Sequence, residues 1–119
     1  MNPYLIPGLS RKNLTPLAIL DYVSIYYNIP VPYMLSSIRK GPYVKARRAA
    51  MWVMRNKLKM SFPKIAEVFR GHGRTGRDHT AVMSLLKGTD DLMSVYPEYQ
   101  AEMDSIVKFI YGEKTIGRE

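Results

Sequence analysis

A chain of 119 residues, 46% of them hydrophobic, is long enough for one domain with a modest core, and the absence of cysteine excludes disulfides and thiolate metal sites. No apolar run approaches a membrane span, and the opening Met1-Asn2-Pro3-Tyr4-Leu5-Ile6-Pro7-Gly8 lacks the basic flank and long apolar core of a signal peptide, so a cytoplasmic protein with no membrane partner is expected. The formal charge of +8 is uneven: Ser37 to Arg77 holds twelve Lys or Arg and one acid, Glu67, whereas Asp78 to Glu119 holds four bases and eight acids.

Residues 1–14 carry turn formers and two bases, Arg11 and Lys12, and read as an N-terminal arm. Thr15-Pro16 starts the first helix, with threonine as N-cap and proline at the first helical position. Leu20, Val23 and Tyr27 lie at i, i+3 and i+7 as its core face, and Pro30 stops it near Asn28. Tyr22, Tyr26 and Tyr27 could stack on nucleobases, but at helical spacing they are assigned to packing. Val31 to Ser37 fits a short second helix, followed by the basic loop Ile38-Arg39-Lys40-Gly41-Pro42. Tyr43 to Met60 is expected to be the longest helix, with Met51, Met54 and Leu58 at i, i+3 and i+7. Lys45, Arg47 and Arg48 load its first turns with the wrong sign for the helix dipole, a cost that makes sense if the charges meet phosphates. The eight methionines are assigned to core filling.

Ser61 and Pro63 open a further short helix, with Ile65, Val68 and Phe69 on one face. Arg70 to Gly76 contains three glycines and cannot stay helical. Asp78 is a good N-cap for the next helix, whose apolar stripe is Val82, Leu85 and Leu86. Gly88-Thr89-Asp90 is placed to bend or interrupt it. Pro97 starts a final helix with the stripe Tyr99, Met103, Ile106 and Ile110, while Glu98, Glu102 and Asp104 are expected to face solvent. Gly112 caps that helix. The expected organisation is an arm over 1–14, a helical domain over 15–112 and a tail over 113–119.

A short helix, a turn and a second helix with a polar, partly basic first turn is how a helix-turn-helix presents its recognition helix to the DNA major groove. The positive charge concentrated in and just before this stretch is what a phosphate-binding surface requires. The stretch also resembles a known family, the C-terminal DNA-binding domain of the bacterial chromosomal replication initiator DnaA. Gly76-Arg77-Asp78-His79-Thr80-Ala81-Val82 differs at one position in seven from that family's glycine-arginine-aspartate-histidine-threonine-threonine-valine. Ser61-Phe62-Pro63-Lys64-Ile65 is similar to the family's serine-leucine-proline-glutamate-isoleucine, and Tyr26-Tyr27-Asn28-Ile29 with Met34-Leu35-Ser36 resembles the segment before its basic loop. The resemblance covers roughly Leu17 to Ile110. It implies an all-α, multi-helix domain of the Trp-repressor-like fold that binds double-stranded DNA sequence-specifically, in replication initiation, its regulation or transcription.

Each residue type then has a chemical reason. Arg77 can fork onto guanine or pair with phosphate. Asp78 can accept from a cytosine amino group, cap the helix, or do both. His79 can donate to a base or a phosphate, and Thr80 offers a hydroxyl and a methyl. Ala81 stands where the family has a second threonine, which leaves methyl packing only and implies an altered or relaxed preference. The resemblance also implies that Arg39 or Lys40 reaches into the minor groove, where a narrow A·T tract attracts arginine; an ordinary exposed loop is the competing reading. Phe62 and Pro63 match family positions that meet the DNA. Lys64 replaces the family's glutamate, which removes a capping-box partner and adds positive charge near the backbone. Lys45, Arg47, Arg48, Arg70 and Arg74 complete the expected backbone contacts. Between Phe69 and Arg77 the chain has seven residues where the family typically has two glycines. The enlarged turn is either a basic finger that reaches phosphate or a tolerated insertion.

Enzyme readings are weak. His72 and His79 form no metal-ligand signature, and Gly71-His72-Gly73-Arg74-Thr75-Gly76 lacks the lysine and hydroxyl ending of a P-loop. No metal, cofactor or nucleotide is expected; the chain looks like the DNA-reading part standing alone, and a replication protein is a further candidate partner. Relatives of the domain bind as single modules, which implies a monomer. The alternatives are a protein-interaction module, or a non-specific nucleic-acid binder that keeps the fold without the sequence reading.

Overall fold

Proline occupies one of the first two positions in five of the six helices found among the described residues, where its missing N–H costs nothing. The computed structural model describes residues 14–36, 38–70 and 79–112. In order the helices are α1 (Pro16–Tyr27), α2 (Val31–Leu35), α3 (Gly41–Asn56), α4 (Phe62–Arg70), α5 (His79–Val95) and α6 (Pro97–Tyr111), with no strand among the described residues. The fold is all-α, as the periodicity predicts. None of these helices is long and apolar enough to cross a membrane.

The boundaries follow local chemistry. Thr15 caps α1 by accepting the Ala18 N–H at 3.1 Å, and Asn28 ends it in the left-handed region. Ser61 Oγ accepts the Lys64 N–H at 3.3 Å at the start of α4, so half of a capping box survives without its glutamate. Gly112, with φ of 69°, closes α6. Lys59 takes φ of 57° just past α3, and the Met60 N–H turns back onto the Met54 carbonyl. That reversal ends α3 at Asn56, short of the expected Met60, and leaves α5 with 17 residues as the longest helix, against 16 for α3.

The interruption considered at Gly88-Thr89-Asp90 does not occur: α5 runs continuously from His79 to Val95. Thr89 is fully buried, and its hydroxyl donates to the Leu85 carbonyl one turn back at 2.9 Å. Leu86 before it is buried, and Met93 after it packs on the core. Burial on both sides of the glycine outweighs its poor helix propensity of about 1 kcal/mol.

α3 is the hub, since it touches all five other helices. Ala46, Ala49 and Ala50 are fully buried, and Met51, Val53 and Met54 fill the space beyond them. Ile19, Leu20, Tyr22 and Val23 of α1 and Met103, Ile106 and Ile110 of α6 close the core on one side; Ile65, Ala66 and Phe69 of α4 with Val82 and Leu86 of α5 close it on the other. Four methionines (Met34, Met51, Met54 and Met103) are core fillers, whereas Met83 is exposed on α5. The tyrosines of α1 serve packing: Tyr22 and Tyr26 set their rings edge-on to Phe109 of α6.

Glu102, expected in solvent, instead joins three helices. It accepts the Tyr27 hydroxyl at 2.6 Å and pairs with Lys45 Nζ at 2.9 Å, which links α6 to α1 and α3. Burial tends to raise the Glu102 carboxyl, but the Tyr27 hydrogen bond and the Lys45 ammonium outweigh it and hold the carboxyl below its ordinary range. Tyr27 shifts the other way: burial, then its bond to the carboxylate, pushes the phenol far above its ordinary value.

Candidate nucleic-acid interface

α4 and α5 pack against each other and against α3. Ile65, Ala66 and Phe69 form the buried face of α4, and Val82 and Leu86 anchor α5. His79, Thr80 and Ala81, the first turn of α5, are exposed, and the next residue, Val82, is only 1% exposed. A recognition helix needs that division: one stripe fixed in the core and an N-terminal turn presented outward. Arg77, Asp78 and Arg74, and the side chain of Arg70, lie outside the described residues.

At the start of α4, Pro63 and Lys64 are exposed and Phe62 is half-buried. The guanidinium of Arg55, in the last turn of α3, lies 4.1 Å from the centre of the Phe62 ring, and its Nη1 donates to the Met60 carbonyl at 2.9 Å. Arg55 therefore fixes both the α3–α4 turn and the aromatic ring that follows it. Phe62 and Thr80 come together in a cleft of about 490 Å³, which Arg55, Met83, Ser84 and Lys87 also line. Thr80, Met83, Ser84 and Lys87 fall at i, i+3, i+4 and i+7, one face of α5. This stripe is visible in the sequence, but it is mixed in polarity, so an apolar-periodicity search passes over it. At its far end Trp52 Nε1 donates to Asp90 Oδ1 at 3.2 Å and ties α3 to α5.

The loop between α2 and α3 exposes Arg39 and Lys40, as both readings of that loop expect. Three cations of α3 behave differently from one another. Arg47, expected on the DNA backbone, is 3% exposed. Its Nε donates to the Met34 carbonyl at 2.6 Å and its Nη2 to the Ile38 carbonyl at 2.6 Å, so it is committed to the chain's own backbone. Lys45 is half-exposed but paired with Glu102 where α1 and α6 meet α3, which removes the reason for assigning it to phosphate. Arg48 is half-buried, and its Nε is enclosed without a hydrogen-bond partner among the described residues. A dipole-opposing cation can thus serve the fold as readily as a ligand, and the pattern of charges along α3 does not say which.

Fold and site together define a helix-turn-helix protein. The family model for the bacterial dnaA protein helix-turn-helix matches residues 16–87, and the chain belongs to that family. The chain is 30% identical over 106 residues to the chromosomal replication initiator protein DnaA of Spiroplasma citri, a match covering 89% of this chain and 22% of the relative. It is 35% identical over 97 residues to the DnaA of Lactococcus lactis subsp. cremoris, covering 82% of this chain and 20% of the relative. The chain therefore spans about a fifth of the length of the curated relatives it matches.

Proposed function

We propose that this chain binds double-stranded DNA sequence-specifically, with the first turn of α5 in the major groove, and acts in replication initiation, its regulation or transcription. One observation carries the reading: in a chain of the DnaA helix-turn-helix family, His79, Thr80 and Ala81 stand exposed at the N-terminus of a helix anchored from Val82 onward. Arg77 and Asp78 immediately precede that turn in the sequence and extend the base-reading set. Helix N-terminal N–H groups favour a phosphate beside the same turn. Pro63, Lys64 and the ring of Phe62 meet the adjacent backbone. Arg39 and Lys40 reach the neighbouring minor groove, and Arg48, Arg70 and Arg74 complete the backbone set. Lys45 and Arg47 are left out, because their charges are used inside the protein.

The test is selection of bound duplexes from a random pool at near-physiological salt, for the wild type and for the double variant Arg77→Ala, His79→Ala. An enriched motif that the variant loses supports reading through α5. Binding without enrichment, unchanged in the variant, leaves a basic surface only, and no binding moves a protein-interaction module to first place.

A further inference from the structure

From the same loop we infer that Arg47 is a positioning residue that holds the α2–α3 loop in the shape that presents Arg39 to DNA; the inference rests on the DNA-binding reading above. α2 has only five residues, so most of its carbonyls lack an intrahelical partner. One guanidinium gathers two of them, those of Tyr33 and Met34. Arg47 Nε donates to the Met34 carbonyl at 2.6 Å, and Nη2 lies 3.3 Å from the Tyr33 carbonyl and 3.4 Å from Ser36 Oγ. The same Nη2 reaches past the end of α2 to the Ile38 carbonyl at 2.6 Å. Ser36 Oγ donates to the Tyr33 carbonyl at 2.7 Å and accepts the Ile38 N–H at 3.3 Å, so Ile38 is held through both its N–H and its carbonyl.

Ile38 is the residue before Arg39. On the other side, Lys40 occupies the N-cap of α3, and its carbonyl accepts the Val44 N–H at 3.0 Å. Arg39 is thus the single residue between two pinned neighbours, with its own side chain exposed. A backbone ordered before binding spares the complex that ordering cost, and the factor from one residue is about tenfold in affinity. Only a planar fork with several N–H donors serves carbonyls from α2 and the loop at once; lysine keeps the charge and loses the fork.

The test is a double-mutant cycle on the full chain with Arg47→Lys and Arg39→Ala, using a fluorescent duplex carrying the motif enriched by the wild type. Urea unfolding followed by Trp52 fluorescence is run on every variant. The expected result is an affinity loss of about tenfold for R47K in the Arg39 background and little further loss in R39A. Faster amide exchange at Ile38 and Arg39 in R47K, without DNA, is expected alongside. Equal losses in both backgrounds, or an unchanged affinity with a folded R47K protein, would overturn the inference while leaving the DNA-binding reading intact. A wild type that binds no duplex overturns both. If R47K does not fold, Ser36→Ala replaces it in the cycle; it removes the hydroxyl that bridges Tyr33 and Ile38, and coupling to Arg39 is again expected and its absence again refutes.

Discussion

Replacing Phe69 by alanine tests whether α4 is held by the core or only by the turns around it. Phe69 is 1% exposed, so its whole side chain counts. Transfer of the ring contributes about 1.5–3 kcal/mol, and the cavity left behind raises the expected loss to about 3–5 kcal/mol. A domain of this size has roughly 5–15 kcal/mol in all, so the variant should fold but unfold at a much lower urea concentration. The assay is built in: Trp52 is the only tryptophan, and its indole N–H bonds Asp90 of α5, so its fluorescence reports the α3–α5 contact. Duplex binding, measured where the variant is fully folded, should keep its sequence preference. A stability loss below about 1 kcal/mol would refute the reasoning, because a ring buried this completely cannot be removed so cheaply unless α4 is undocked in solution.

Gly88→Ala should stabilise the protein by about 0.5–1 kcal/mol, since a Cβ there meets nothing within 4 Å and the residue sits inside a continuous helix; a raised urea midpoint checks it. Glu102 has a depressed carboxyl, so its contribution is present above the ordinary value of 4.5 and fades as pH falls through the lower folded value. The difference in urea midpoint between wild type and Glu102→Gln should therefore be largest at neutral pH and shrink on acidification; a constant difference would contradict the assignment. Lys64→Ala should weaken binding to all duplexes alike and lower the salt slope by about one, read from affinities between about 50 and 200 mM salt.

Much of the candidate site is legible in order of residues. The heptapeptide from Gly76 to Val82 leads into the exposed first turn of α5, and the Ser61-Phe62-Pro63 start marks the preceding helix. The charge list is less dependable. Lys45, Arg47 and Arg48 look alike in sequence, yet one pairs with Glu102, one binds its own backbone and one is half-buried. Arg55 is an exposed base near the end of α3, and only the structure shows its guanidinium over the Phe62 ring.

By itself the sequence determined much of what depends on a single helical turn: close to where the proline-led helices begin, which face of each is apolar, and which residues stand at the head of α5. Proline geometry, side-chain caps and the 3.6-residue repeat act within a few residues, so they can be read without knowing the neighbours. Tertiary structure alone decided whether a cation meets water, a carboxylate or a carbonyl, and whether α5 survives Gly88. Those outcomes turn on groups brought from far along the chain: Glu102 lies 57 residues from Lys45 and the carbonyl of Met34 lies 13 from Arg47. A charge is cheap in water and costly without a partner, so the partner, not the residue type, sets its role.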